Sequence, residues 1–133
     1  ESAKTLRTLN SLRKNPAPLP WNEKVKHLLS MKARYWKLAD VPSLSKNGGT
    51  PQQWFLQGVG QGMNDACLVR EDCFRAELFA PTLRYREALV SEAALDGDEK
   101  QEAYHRGYYV GMKASTQYLS EPAYGPPQVE SQQ

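Results

Sequence analysis

The sequence predicts an all-α protein, a compact bundle of five to six helices with short loops and a disordered proline-rich C-terminal tail. Three observations lead there. Apolar residues recur at helical spacing along most of the 133 residues, no stretch alternates as a strand would, and Pro, Gly and capping residues fall where the helical stretches stop. The composition, 40% apolar and 24% charged, is that of an ordinary globular chain. With a mean hydropathy of −0.68, no run reaches the roughly 18 apolar residues that cross a bilayer. Residues 1–121 read as one helical domain and 122–133 as a flexible tail.

The first element carries Leu6, Leu9 and Leu12 on one side and stops at Asn15 and Pro16, where PAPLP continues as an extended connector. A second helix is expected to start after Asn22, as its cap, and to run to about Ala39, with Val25, Leu28, Leu29, Met31, Tyr35, Trp36 and Leu38 covering half its circumference. These two make up the basic N-terminal helices of residues 1–40. Pro42, Ser43, Ser45, Asn47, Gly48 and Gly49 then spell a loop. Thr50, Pro51 and Gln53 form a capping box with proline at the first helical position, so a helix begins there. It is expected to continue to about residue 70, with a break possible before Cys73. Ala80 and Pro81 open another helix. Asp96 and Glu99 offer a second capping box for the last one, over about 98–119, and Glu121 with Pro122 stops it.

Two of these helices share a pattern. Phe55-x-x-Gly58-x-x-x-Gly62-Met63 and Tyr104-x-x-Gly107-x-x-x-Gly111-Met112 align at an offset of 49. Each internal glycine costs a helix roughly 1 kcal/mol against alanine, so two spaced pairs call for a compensating contact. Glycines four apart share a face and let another backbone come close. Gly58, Gly62, Gly107 and Gly111 are therefore the expected packing surface between the two helices, with Trp21, Trp36, Trp54 and Phe55 filling the core around it.

Charge is unevenly placed. Residues 1–50 hold ten Lys/Arg against three acids, and residues 51–133 hold seven against twelve, within a net charge of +2. The basic third either meets an acidic partner or folds back on the acidic remainder of its own chain. Lys24, Lys26, Lys32, Arg34 and Lys37, interleaved with aromatics on one helix, are the candidate binding residues, together with Tyr108 and Tyr109. Another protein is the expected partner. Nucleic acid, gripped by the same five cations, is the alternative.

Little points to catalysis. His105 near Glu102 is the one base-and-carboxylate pair to consider. Asp65, Glu71, Asp72 and Glu77 match neither a calcium loop nor paired catalytic carboxylates. No metal and no cofactor is expected, and the chain reads as a non-enzyme. Cys67 and Cys73 are the candidate disulfide. A bridge six residues apart needs a helix break near Arg70, Glu71 and Asp72 and an oxidising compartment, whereas free thiols go with a continuous helix.

The segment GVGQGMNDA, residues 58–66, resembles the Gly-aromatic-x-x-Gly-Val-x-Asp-Ala helix of small periplasmic immunity proteins that protect bacteria against type VI secreted effectors. The likeness spans nine of 133 residues. Val59 stands where that family has an aromatic, and the cysteines are placed differently, so no residue role is carried across. An extracytoplasmic accessory, inhibitor or immunity-type role agrees with the cysteine pair and with a first residue that is Glu. A periplasmic or secreted location is accordingly preferred to the cytoplasm.

Overall fold

The computed structural model describes residues 17–40 and 48–128. The helix expected over Leu6, Leu9 and Leu12 lies outside them, as do residues 41–47 of the loop and 129–133 of the tail. Among the described residues the chain is all-α and has no strand, but it forms four α-helices, not five or six: α1 Trp21–Ala39, α2 Pro51–Ala66, α3 Ala80–Leu95 and α4 Glu99–Ser120. Two single 3-10 turns, Glu71–Cys73 and Ala76–Phe79, join α2 to α3.

Local chemistry accounts for the helix starts. The Thr50 hydroxyl accepts from the Gln53 amide at 3.2 Å, and the Gln53 side chain accepts from the Thr50 amide at 2.8 Å, with Pro51 opening the helix. Two starts differ from expectation. α1 begins one residue before Asn22, at Trp21, with no side-chain cap. α4 is capped by Asp98, which accepts from the Gln101 amide at 3.1 Å, because Asp96 already closes α3 as its C-cap and Gly97 (φ +71°) makes the turn between them.

α2 stops at Ala66, short of the expected residue 70. The physical reason is tertiary. A continued helix would carry Val69 and Phe74 away, whereas the break folds both onto the core cluster of Ala66, Phe79, Tyr108 and Met112. Phe74 then lies 5.0 Å from the Trp21 ring and 5.8 Å from Phe79.

The centre of the molecule is the contact between α2 and α4; α1 lies against α2 and α3 against α4. A Cβ added to Gly58 would land on the Tyr104 carbonyl oxygen and 2.8 Å from the Tyr108 nitrogen; one on Gly62 would land on the Tyr108 carbonyl and 2.7 Å from the Met112 nitrogen. Reciprocally, a Cβ on Gly107 meets the Phe55 carbonyl, and one on Gly111 meets that of Val59. Residue numbers rise together on both sides of the crossing, so α2 and α4 run parallel. Parallel neighbours need a returning element between them, and the 3-10 turns with α3 supply it.

Leu28, Val59, Met63, Ala66, Tyr108, Met112 and Leu119 are the buried apolar centre. The tryptophans do not fill it. Trp21, Trp36, Trp54 and Phe55 are half-buried at its edges. Trp36 donates to the Gln57 carbonyl at 3.1 Å with its ring over Gly60, and Trp54 donates to that of Gly48 at 2.7 Å. Indoles with a donor to satisfy take positions where a carbonyl is within reach. The start of the tail is pinned: Ala123 is buried and its carbonyl accepts from the Leu19 amide at 2.6 Å, while Tyr118 Oη donates to the Gly125 carbonyl at 2.7 Å.

Candidate functional site

The five cations expected to form one surface divide into two sets. Lys26, Arg34 and Lys37 are exposed. At 100° per residue Lys37 stands about 20° and Arg34 about 80° from Lys26 around α1, so the three form one solvent-facing row. Lys26 has a loose partner in Glu23 at 3.8 Å, and its side chain remains 75% exposed. Beside the row, Met31, Arg34, Tyr35, Leu38 and Leu56 line a groove of 270 Å³ between α1 and α2. Leu38 is 67% exposed, a large apolar side chain left in water at the groove's edge. Burial in the groove wall holds the Tyr35 phenol above its usual value, against the lowering effect of Arg34.

Lys24 and Lys32 belong elsewhere. Lys24 is 8% exposed, and its Nζ donates to the carbonyls of Glu121 at 2.8 Å, Leu119 at 3.0 Å and Tyr118 at 3.3 Å. It caps the C-terminus of α4, where the last carbonyls lack helical partners and the helix dipole favours a cation. Lys32 is half-buried, with Nζ 3.4 Å from Asn64 Oδ1 and 4.4 Å from the Trp36 ring centroid. Lys24 is thereby committed to the fold, and Lys32 is partly engaged by α2 and its own helix.

Tyr108 is 3% exposed and also leaves the expected surface. Its hydroxyl donates to Asp65 Oδ2 at 2.5 Å, and Gln61 Nε2 donates to Oδ1 of the same carboxylate at 2.9 Å. Burial first, then the bond to Asp65 and its charge, hold the phenol far above its ordinary range, so Tyr108 stays a donor. The Arg86 guanidinium lies 3.7 Å from the Tyr108 ring centroid, and Nη1 is 2.9 Å from His105 Nδ1. This network joins α2, α3 and α4 and is absent from the sequence reading. One signal could have found Arg86: it interrupts the row Leu83, Val90 and Ala93 on the face of α3 that turns inward. Tyr109 is half-buried, with Lys113 Nζ 5.5 Å from its ring centroid. Tyr108→Phe is expected to cost about 1–2 kcal/mol in urea unfolding, because a charged acceptor loses its donor. Tyr109→Phe should stay within about 0.5 kcal/mol.

The base and carboxylate weighed from the sequence, His105 and Glu102, do not meet. Glu102 accepts from Arg106 at 3.0 Å, and His105 faces Arg86. The disulfide is likewise not formed: Cys67 and Cys73 are free, the first half-buried and the second exposed on a 3-10 turn. The helix does stop, at Ala66 ahead of both cysteines, but the break serves Val69 and Phe74, and the inferred link between free thiols and an unbroken helix fails. Burial pushes the Cys67 thiol up to about 11, so it is protonated and a poor nucleophile at neutral pH. It lies in a cleft of 330 Å³ lined by Trp21, Val25 and Arg70 among others. Among the described residues no three His, Cys, Asp or Glu side chains are grouped to hold a metal ion, and no helix is long and apolar enough to cross a membrane. No protein-family model, no curated protein and no solved structure matches the chain.

Proposed function

We propose that the protein is a non-enzymatic interaction module that binds another protein through the outer face of α1. One observation carries the reading: a row of three exposed cations, Lys26, Arg34 and Lys37, borders an apolar groove whose edge residue Leu38 is 67% exposed. The bordering charge sets the partner's chemistry as an acidic surface with an apolar centre, since rim charges steer and orient while the apolar contact supplies most of the affinity. The uneven charge adds support. Among the described residues no α1 cation is seen to pair with an acid of α3 or α4, whereas Glu23 with Lys26, Arg70 with Asp72 and Glu102 with Arg106 pair as neighbours along the chain. An α1 face without pairs to α3 or α4 supports binding to another molecule, as in an accessory or inhibitor protein. With Lys24 buried and Lys32 half-buried, three of the five candidate cations stand exposed for phosphate contacts, which weakens the nucleic-acid reading. The bridge that argued for an oxidising compartment is not formed, and that argument for an extracytoplasmic location lapses.

The test is quantitative co-purification from the native cells, with nuclease present. A partner held by the wild type should fall at least tenfold with Lys37→Glu/Leu38→Asp and be retained by Glu87→Lys/Leu95→Asp, which makes matching changes on α3. Equal retention by both variants, or loss of all retention on nuclease treatment, overturns the proposal.

A further inference from the structure

Arg86 of α3 meets His105 of α4 where the two helices pack. Arg86 carries only donors, so its 2.9 Å approach to His105 Nδ1 requires that nitrogen to be an unprotonated acceptor, with the ring proton on Nε2. The guanidinium is otherwise held against the Tyr108 ring, 3.7 Å from its centroid, and its Nε is buried with no hydrogen-bond partner among the described residues. α3 packs on α4 and on the 3-10 turn before it, with Leu83 against the core cluster and Ala93 as its one buried residue.

We propose that Arg86 and His105 form a pH-sensitive clasp, in which the neutral imidazole holds α3 onto α4 and mild acid releases it. Protonation of Nδ1 removes the acceptor and sets two cations face to face. The groups around the ring sharpen the consequence. From α3 come Arg86 and Glu92, from the turn Asp96 and Asp98, and from α4 itself Tyr104, with Glu102 and Arg106 nearby along the helix; Tyr108 and its partner Asp65 of α2 connect to the ring through Arg86. Burial first and Arg86 second lower the His105 pKa below the ordinary 6.5, while Asp98 and Glu92 oppose them. A 170 Å³ cleft beside the ring, lined by Leu89, Glu92, Asp96 and Asp98 among others, gives the imidazolium an acidic place to turn once it leaves Arg86.

The sign follows from linkage. A histidine whose folded pKa is depressed binds its proton more readily once α3 is released. The clasp is therefore complete above pH 6.5 and is lost as the pH falls below that value towards the folded pKa. The inference is independent of the α1 surface.

The experiment is NMR on the full chain: titration of the His105 ring, with amide-exchange protection factors at pH 7.5 and 5.5. His105 should titrate below 6.5, and protection in α3 should fall several-fold at pH 5.5 while that at the crossing of α2 and α4 holds. His105→Gln, whose amide oxygen still accepts from Arg86, should abolish the fall. His27→Gln, which removes the other histidine of the chain, should leave it intact. A His105 midpoint at or above 6.5, unchanged α3 protection in the wild type, an equal fall in His105→Gln, or its loss in His27→Gln would each overturn the clasp.

Discussion

Gly62→Ala is expected to destabilise the protein by about 2–4 kcal/mol, a large effect for one methyl group. Two effects oppose each other. Alanine is the better helix former by roughly 1 kcal/mol, so on propensity alone the substitution would stabilise α2. Against that, the new Cβ falls on the Tyr108 carbonyl oxygen and 2.7 Å from the Met112 nitrogen. Both atoms are backbone of a helix and cannot rotate away. The helices must move apart, and every dispersion contact along the seam weakens with distance. Gly97→Ala is the matched control. It has open space around it but a φ of +71°, so only the left-handed backbone resists, at about 1 kcal/mol. Urea unfolding followed by far-UV circular dichroism compares the two. If Gly62→Ala equals or exceeds the wild type in stability, α2 and α4 are not in backbone contact.

Lys24→Met should cost about 2–3 kcal/mol in the same assay, whereas Lys26→Met, two residues away, should stay within about 0.5 kcal/mol. Methionine keeps much of the aliphatic stem but removes the donor that reaches the Leu119 and Glu121 carbonyls at 3.0 and 2.8 Å. Those acceptors close α4 near the point where the tail is pinned to Leu19. Loss of the cap should therefore also increase amide exchange at Leu19 and near Ala123. Equal costs at Lys24 and Lys26 would mean that Lys24 is an ordinary surface lysine.

This contrast shows what the sequence reveals and what it hides. Lys24 and Lys32 fall on the apolar half of α1, so the pattern already sets them apart from Lys26, Arg34 and Lys37. What the pattern cannot supply is the acceptor, because the carbonyls that Lys24 meets lie more than 90 residues along the chain. The helical class, the Thr50 capping box and the repeated glycine spacing rest on contacts within a turn or two, and local spacing encodes those. The end of α2 at Ala66 depends on where Val69 and Phe74 find the core, a tertiary preference that overrides local periodicity. Tyr108 illustrates the same limit at the site. Its neighbour Tyr109 is chemically identical in sequence terms, and only the approach of Asp65 and Arg86 makes one a buried donor and leaves the other half-buried.

The outer face of α1 is tested most directly by a photo-cross-linking amino acid at position 38 of the full chain, expressed in its native cells. The same label at position 95 is the comparison, because Leu95 is 89% exposed on α3, away from the cation row. Position 38 should give a discrete protein adduct that weakens strongly with Lys26→Glu/Lys37→Glu, and position 95 should give none. No adduct at position 38, or the same adduct from both positions, would contradict α1 as the binding face.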